Sequence, residues 1–380
     1  MHTERPAGAV LRVGLFPTLP FHAGISMQVY ASGLITSLAG VPGLSAELLT
    51  PPFASRSRVG WARNRWIRYV AYPVWAGAQS ADVYHVVDHG NAQLLWRLPR
   101  GKTIVTCHDL YPLALATGRL RFPGAPGRAQ MLPTALRLRA LRRARLILTV
   151  SRHTWIECRR YLGIPVTRLR VVYESIPSEF WAPCDDAEAA ATRARLGIGP
   201  DELVVLHVGS NDPRKNLSAV CRVVARLRAR STRAVWLLKV GAPFGPRERD
   251  ILWREGIFEG VVRHVGQVDT AELIRIYQTS TVLLYPSFYE GFCRPVVEAM
   301  AAGLPVVASV AGAIPEVAAG AVSLHDPEDV EGMAARIVEI AEDPGVRKEM
   351  AEAGRDGSRS FSVEGHGRVL AHVYREVAAL

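Results

Sequence analysis

The sequence lacks several features that would assign a protein to a specialised class. No apolar run reaches the ~20 residues that a membrane-spanning helix needs. The N-terminal stretch MHTERPAGAVLRVGLF carries an acidic residue and only a short apolar run, unlike a secretory signal. Low-complexity tracts, which are typical of disordered chains, are also missing. These absences predict a folded protein of the cytoplasm.

Cysteine is scarce as well, since the chain contains only five, which are widely dispersed and never spaced as C-x-x-C. Such a pattern offers neither a disulfide framework nor a cysteine-based zinc site. We therefore expect reduced thiols, which agrees with a cytoplasmic location.

A chain of 380 residues exceeds the usual limit of one hydrophobic core, so we expect two domains. In both halves, short β-rich runs alternate with helical patterns, which predicts α/β domains with parallel sheets. We place the domains at 1–180 and 201–360, with a polar, proline-flanked linker at 181–200. The predicted strands are 11–17, 82–87, 102–108, 145–151, 168–174, 202–209, 234–241, 261–266, 281–287 and 305–309.

The net charge of +11 is unevenly distributed, because residues 1–180 hold 23 Lys and Arg against 8 Asp and Glu. Eight arginines lie between Arg119 and Arg145. Five of them share a predicted helical segment, which predicts an exposed stripe with the apolar residues on the opposite face. The arginines of this stripe are Arg137, Arg139, Arg142, Arg143 and Arg145, and the apolar residues are Leu136, Ala140, Leu141 and Ala144.

This arginine stripe has two interpretations. It is either a solvated surface of an arginine-rich chain, or it attracts anionic lipid or an acidic acceptor. Peripheral contact with the inner face of a membrane would follow from the second interpretation. We expect no nucleic-acid partner, because no nucleic-acid-binding module or aromatic stacking pattern accompanies the arginines.

Two glutamates lie eight residues apart in the stretch YPSFYEGFCRPVVEAMAAGLPVVAS, which runs from Tyr285 to Ser309. The pattern predicts a buried strand, a loop, and then a helix that Pro295 opens, because proline suits the first helical position. Gly303 ends that helix, and another strand follows.

On this interpretation Glu298 lies in the first turn of the helix and Glu290 in the preceding loop. Backbone N–H groups near 293–297 would attract a phosphate, and carboxylates accept hydrogen bonds from vicinal hydroxyls. The arrangement fits a phosphorylated, hydroxyl-rich ligand. In the structural alternative, Glu298 only complements the helix dipole and Glu290 is a solvated loop residue.

A second loop of phosphate-binding type is HVGSNDPRKNL, residues 207–217, at the end of a predicted strand. Gly209 permits close backbone approach, and the adjacent cations Arg214 and Lys215 suit a diphosphate. An Arg-Lys pair is more often a solvated surface feature. Its position in the same half of the chain as the two glutamates favours a site.

Together with the downstream GAIPEV at 312–317, these motifs resemble the retaining glycosyltransferases of GT-B architecture known as family 4, or glycosyl transferases group 1. The resemblance extends over essentially the whole chain. It implies two Rossmann-like domains that face each other across a donor/acceptor cleft. It also implies a closing helix at 361–380 that packs back on the N-terminal domain.

The resemblance further implies a nucleotide-diphosphate sugar on the C-terminal domain and a saccharide, glycolipid or lipid-linked acceptor on the N-terminal one. Glu290 would hold sugar hydroxyls, Glu298 the ribose, and Arg214 with Lys215 the leaving diphosphate. The donor-binding set is completed by Gly24, Gly209, Ser210, Gly291, Phe292, Cys293 and Arg294. We expect no metal or other cofactor, because Arg and Lys can replace a divalent cation and no D-x-D site is visible.

In the N-terminal half, His108 in VTCHDLYP matches the family's histidine near the transferred sugar. Without the family match, a lone histidine at a strand end is an ordinary hydrogen-bonded residue. Gly24 in FHAGISMQVY matches the glycine in the loop after the first strand. The catalytic set is then His108 with Glu290, Arg214 and Lys215.

Three positions depart from the family pattern. Ser210 stands where many relatives have an arginine, and Cys293 with Arg294 replaces the small and aliphatic residues of E-G-F-G-L-P. A cation beside the sugar subsite bears on donor preference, so the identity of the sugar stays open.

The resemblance implies retaining transfer of a hexose-type sugar, in which protein residues position the reactants and stabilise charge. Two alternatives remain. The chain is another GT-B enzyme, such as a nucleotide-sugar epimerase or a phosphorylase, or it is a non-catalytic scaffold of the same fold. The intact glutamates and the Arg-Lys pair argue against the scaffold, while Ser210 and Arg294 keep it open.

Overall fold

The computed structural model describes residues 10–19, 25–53, 60–257 and 259–379. These residues form two compact units. The first is built from the chain up to Arg121, from Pro126–Ser175 and from Ser362 onward, and the second from Phe122–Ala125 and Ile176–Phe361.

Each unit contains one six-stranded parallel sheet, which confirms the α/β prediction. The first sheet consists of β1 Leu11–Phe16, β2 Leu44–Leu48, β3 Val83–Val86, β4 Thr103–Cys107, β5 Leu146–Thr149 and β6 Leu169–Val171. The second consists of β7 Leu203–Gly209, β8 Val235–Gly241, β9 Val262–Gly266, β10 Val282–Tyr285, β11 Val306–Ser309 and β12 Ser323–His325.

Helices connect these strands, and a π-helical turn at Ile67–Ala71 joins the second helix to the third. They are α1 Ile25–Leu38, α2 Trp61–Trp66, α3 Tyr72–Gly77, α4 Tyr111–Ala116, α5 Arg128–Leu138, α6 Arg152–Leu162, α7 Asp186–Arg195, α8 Leu217–Arg230, α9 Pro246–Arg254, α10 Thr270–Thr279, α11 Arg294–Ala301, α12 Ile314–Ala318, α13 Val330–Glu342, α14 Pro344–Ser358 and α15 Val363–Ala378. None of the helices in the described ranges is both long and apolar enough to cross a bilayer.

Strand order determines where a ligand can bind in each unit. The second sheet has the order β12-β11-β10-β7-β8-β9, and the first has β2-β1-β3-β4-β5-β6. In an open parallel sheet, ligands bind beyond the carboxyl ends of the strands, where the strand order reverses. In the second unit that point lies between β7 and β10, whose carboxyl ends carry the two motif-bearing loops.

Both sheets are buried under apolar side chains from the helices. In the first unit, α15 packs on α1 and β1, and buries Leu370 and Tyr374 against Leu15 and Leu34. In the second unit, α8 and α13 cover one face of the sheet with a continuous apolar cluster. The C-terminal helix therefore belongs to the first unit, although it follows the second in sequence.

Two described strands, β2 and β12, were not predicted. Each lies at the edge of its sheet. β2 has the sequence LSAEL, which is only partly buried, and β12 has three residues, none of them fully buried. Edge strands are stabilised by pairing with a neighbour rather than by a continuous apolar run, so the local pattern carries little signal.

The segment predicted as the linker, 181–200, includes α7 and lies in the second unit. Asp185 caps this helix by accepting hydrogen bonds from the backbone of Ala187 and Glu188. The Arg193 guanidinium then donates to backbone carbonyls, including that of Thr279 at 2.7 Å, and ties the helix to the second sheet.

The predicted arginine stripe is partly wrong. α5 ends at Leu138, and Arg139–Arg143 continues as a 3-10 helix, so the buried positions shift in phase. Leu136, expected on the buried face, is exposed. The Arg142 and Arg143 side chains also donate to backbone carbonyls, so not every arginine of the stripe is a solvated cation.

Candidate functional site

The candidate site of the second unit begins at the turn after β7. Gly209 has a φ of 145°, a conformation that L side chains rarely adopt. A Cβ atom on the neighbouring Gly241 would lie 2.6 Å from the Gly209 carbonyl oxygen, so both strand ends require glycine. Asp212 accepts a hydrogen bond from the Arg214 N–H at 3.0 Å and opens a 3-10 turn that presents Arg214 and Lys215.

Lys215 and Glu290 form a buried ion pair, in which Nζ lies 2.7 Å from Oε1. The lysine also donates to the hydroxyl of Tyr285 at 2.7 Å. Ser287 donates to the same Oε1 at 2.8 Å. The two loops, which lie 75 residues apart in sequence, are thus joined at the carboxyl edge between β7 and β10.

The backbone of Glu290 is held by the GAIPEV segment. Ala313 donates its N–H to the Glu290 carbonyl at 2.9 Å. Gly312 has a φ of 59°, and a Cβ atom there would lie 2.2 Å from that same carbonyl oxygen. Only glycine allows this approach. The GAIPEV segment therefore fixes the backbone of Glu290 and, through it, the position of the carboxylate.

Helix α11 begins at Arg294, one residue before the predicted start at Pro295. Glu298 is therefore the fifth residue of the helix and lies beyond the first turn, where it was predicted. Cys293 precedes it with a φ of 78°, a left-handed conformation that is unusual for a residue other than glycine. The N–H of Val296 donates to the Cys293 carbonyl at 3.1 Å, so this group of the predicted phosphate-binding set has a partner within the turn.

Glu298 is buried and bears two hydrogen bonds on different oxygens. Arg294 donates to Oε1 at 2.7 Å, one helical turn away, and the Tyr277 hydroxyl donates to Oε2 at 3.0 Å. The Arg294 guanidinium therefore pairs with a residue one turn later in its own helix and neutralises the carboxylate that was expected to bind ribose.

Gly291, Phe292 and Cys293 are buried between these two glutamates. Phe292 packs edge-on against Phe361, with ring centroids 5.5 Å apart. Burial, reinforced by the charge of Glu290, holds the pKa of the Cys293 thiol well above its usual range. The thiol is therefore neutral at pH 7 and is not a nucleophile. Ser210, by contrast, is exposed at the end of β7.

A second lysine lies beneath the turn after β7. Lys239 is fully buried on β8, opposite His207 of β7, and its Nζ donates to the carbonyl oxygens of Gly209 and Val240. Burial and the charge of Lys215 lower the pKa of Lys239 to about 8. Burial and the charge of Lys239 lower the pKa of His207 to about 3. At pH 7 the turn therefore rests on a buried ammonium beside a neutral imidazole.

In the first unit, His108 follows β4 and is buried. Its Nε2 lies 3.0 Å from the Val87 carbonyl oxygen, and its Nδ1 lies 3.3 Å from Oε1 of Glu174. Although burial lowers the pKa of His108, the hydrogen bond and charge of Glu174 raise it above its ordinary value. Oxygen atoms within hydrogen-bonding distance of both nitrogens favour the protonated form of the ring, in which both nitrogens donate. Gly24 lies outside the described residues.

Several residues of these hydrogen-bond networks were not predicted from the sequence. They are Tyr277, Tyr285, Ser287, Lys239 and Glu174. Tyr285 and Ser287 had a local signal, since they lie within the motif-bearing stretch beside Glu290. The others come from distant segments, and no spacing rule points to them. Among the described residues, no group of three or more His, Cys, Asp or Glu is arranged to hold a metal ion.

Two family models match the chain in succession. The model described as Glycosyltransferase Family 4 matches residues 24–180, and the model described as Glycosyl transferases group 1 matches residues 188–357.

Named relatives agree with these models. The chain is 29% identical over 293 residues to the O-antigen chain mannosyltransferase B of Escherichia coli, with 74% of this chain and 72% of that one covered. It is 29% identical over 305 residues to the D-inositol 3-phosphate glycosyltransferase of Acidothermus cellulolyticus, a match that covers 75% of this chain. That match spans 63% of the Acidothermus protein, a little under two thirds of its length.

Solved structures show the same fold at low sequence identity. Sucrose-phosphate synthase from Thermosynechococcus elongatus matches with a TM-score of 0.76 and 21% identity, with 97% of this chain and 99% of that one covered. HepE from Anabaena, in complex with UDP and glucose, matches with a TM-score of 0.75 and 17% identity, with 96% and 100% covered. The likeness confirms the GT-B fold. Since the two family models together account for most of both units, the chain belongs to the glycosyltransferases of family 4, the glycosyl transferases group 1.

Proposed function

We propose that this glycosyltransferase moves a hexose-type sugar from a nucleotide-diphosphate donor to a saccharide, glycolipid or lipid-linked acceptor, with retention of anomeric configuration. The buried Lys215–Glu290 pair carries this proposal, because it unites the two motif-bearing loops at the carboxyl edge between β7 and β10. Family membership supports the reaction class.

The sugar of the donor would bind at Glu290. Lys215 and Ser287 both donate to Oε1, which leaves Oε2 to accept hydrogen bonds from the sugar hydroxyls. A buried carboxylate whose position is fixed by an ion pair and by the Gly312 backbone contact loses little freedom when it binds. Such preorganisation is what a group that orients a substrate requires.

The leaving diphosphate would be stabilised by Arg214 and Lys215. Lys215 belongs to the turn after β7 and is paired with the Glu290 carboxylate that would bind the sugar. Its ammonium would contact an oxygen of the donor diphosphate while it remains paired with Glu290. Lys239 adds a second buried positive charge beneath Gly209. Cations fixed in a buried site stabilise developing negative charge more strongly than they would in water. We expect transfer to proceed without a divalent metal.

The nucleoside end would bind at Glu298, whose carboxylate can accept from ribose hydroxyls in addition to Arg294 and Tyr277. One solved structure supports a nucleotide sugar as donor, and one relative supports mannose as the sugar. HepE was solved with UDP-glucose, and the Escherichia coli relative is named a mannosyltransferase. A glucose-type or mannose-type donor is therefore the first to test.

The experiment measures thermal stabilisation by, and hydrolysis of, UDP-glucose and GDP-mannose in the wild type and in two variants. Glu290→Gln keeps the shape and removes the charge, and we expect it to abolish hydrolysis. Lys215→Ala should abolish stabilisation by the donor. Glu331→Gln, which changes an exposed carboxylate on α13, is the matched control and should leave both unchanged.

Five further results test this proposal or separate it from its alternatives. Donor binding unaffected by Lys215→Ala would overturn the diphosphate assignment. Interconversion of two nucleotide sugars without an acceptor would identify an epimerase, and a requirement for free phosphate would identify a phosphorylase. The anomeric configuration of the first product, read by NMR before mutarotation, tests retention, and loss of activity in a chelator would refute the metal-independent mechanism.

A further inference from the structure

A stripe of exposed apolar side chains runs along one helical segment of the first unit. α2, the π-helical turn and α3 form a continuous helical run. Trp66, Val70 and Val74 follow at four-residue spacing, which places them on one face. They are 58%, 47% and 54% exposed, whereas Ile67 and Tyr72 of the same run are buried in the core.

Helix α5, which is linked to this run, carries two more exposed apolar side chains. Leu132 and Leu136 are again four residues apart, and they are 51% and 48% exposed. Arg137 links α5 to the π-helical turn, because its guanidinium donates to the Tyr69 hydroxyl and lies 5.6 Å from the centre of the Tyr69 ring. Below, "the Trp66 face" means Trp66, Val70, Val74, Leu132 and Leu136.

The two chain segments that carry the Trp66 face hold charges of one sign. No Asp or Glu occurs from residue 48 to residue 81, a stretch that holds five arginines, or from 110 to 156, a stretch that holds nine. Arg63 and Arg65 are exposed on α2 itself. The Trp66 face thus combines exposed apolar side chains with arginines of the same two segments, which contain no acidic residue.

Scattered exposed apolar residues need no explanation, but a contiguous group of them marks an interaction surface. Helices that lie on a membrane place Trp, Leu and similar side chains toward the acyl chains and their cations toward anionic headgroups. We propose that the Trp66 face binds the surface of a membrane that contains anionic lipids. This contact does not depend on which sugar the enzyme transfers.

Charge also argues against two other occupants. A second copy of the chain would bring two arginine-rich surfaces together with no local carboxylate to pair with them, and like charges oppose such a contact. A single-stranded nucleic acid would need aromatic rings for its bases to stack on. The face instead offers four aliphatic side chains and one tryptophan.

The test is co-sedimentation with phosphatidylcholine vesicles that contain either no anionic lipid or about 30% phosphatidylglycerol. We expect the wild type to bind the anionic vesicles, and to bind them less at about 1 M salt than at about 0.1 M. The triple variant Trp66→Ser, Val70→Ser, Val74→Ser should partition about tenfold or more weakly, since it removes the apolar part of the contact.

The matched control is Trp253→Ser, Val166→Ser, Val369→Ser, which also replaces one exposed tryptophan and two exposed valines. It should bind vesicles like the wild type. Thermal unfolding of both triple variants verifies that they are folded. Equal binding by the two triple variants, or no binding by the wild type, would overturn the proposal.

Two further measurements distinguish failure of the membrane proposal from failure of the proposed glycosyl transfer. If the wild type does not bind vesicles but self-associates, and the Trp66 triple variant is monomeric, the face is a protein interface and the membrane assignment is wrong. Donor hydrolysis in solution should be the same in the Trp66 triple variant and the wild type. If the wild type binds vesicles but hydrolyses no nucleotide sugar, the proposed reaction fails while the membrane assignment stands.

Discussion

The Lys215–Glu290 pair makes a quantitative prediction about stability as well as function. Both side chains are buried, and the ammonium lies 2.7 Å from the carboxylate. Removing one partner of a buried pair leaves an uncompensated charge, which typically costs about 3–5 kcal/mol. We therefore expect Lys215→Met to lower the free energy of unfolding by about that amount, a large share of the roughly 5–15 kcal/mol that stabilises a domain.

Replacing both partners should recover most of this loss. In the double variant Lys215→Met, Glu290→Gln, neither member of the pair is charged, and the amide oxygen can still accept from Ser287. Its stability should lie within about 2 kcal/mol of the wild type, because paired neutral substitutions of buried ions are often close to neutral. Both variants should fail to bind the donor, so stability and binding are expected to separate.

Urea unfolding, followed by fluorescence and circular dichroism, measures these differences through the double-mutant cycle. The control is Lys348→Met, which breaks an exposed pair with Glu352 on α14 and should cost less than about 1 kcal/mol. If Lys215→Met costs no more than this control, Glu290 is not a buried charge that depends on Lys215. The structural basis of the proposed site would then be wrong.

Three further predictions concern neighbouring groups. Arg294→Leu removes the cation that neutralises the buried Glu298, so donor affinity should change by about tenfold or more and the free energy of unfolding should fall as well; an unchanged Kd would refute a role for that ion pair in nucleoside binding. Because the folded state raises the pKa of His108, the stability it contributes is present below about pH 6.5 and is lost as pH rises through the raised pKa. Glu174→Gln should flatten this decline in unfolding free energy, and an unaltered pH profile would contradict it. Cys293→Val should destabilise the protein by about 2 kcal/mol because a β-branched residue is disfavoured at positive φ, whereas Cys293→Gly should be close to neutral; equal melting temperatures would contradict the left-handed turn.

Local sequence signals were sufficient where a segment's structure depends on its own residues. The strand, loop, helix and strand around Glu290 were predicted because Gly303 and Pro305 end one helix and a run of buried β-branched residues defines the next strand. The start of α11 differs by one residue, because Cys293 adopts the left-handed conformation there and lets the helix begin at Arg294.

Local signals were insufficient where a neighbour supplies the stabilisation. The edge strand β2 forms through its pairing with β1, which its own sequence does not reveal. The phase of the arginine-rich segment was wrong because a change from α-helix to 3-10 helix after Leu138 exposes Leu136. Neither feature has a distinctive residue pattern.

By itself, the sequence determined the two α/β halves, the uneven charge and the chemistry available to the site, because composition and periodicity encode them directly. Only the tertiary structure decided which of those groups pair. Lys215 meets Glu290 across 75 residues, and His108 meets Glu174 across 66, because strand order brings the carboxyl ends of distant strands together. The structure also brought α5 next to the helical run of α2, the π-helical turn and α3 through the Arg137–Tyr69 hydrogen bond. Such contacts are non-local, so no spacing in the chain specifies them.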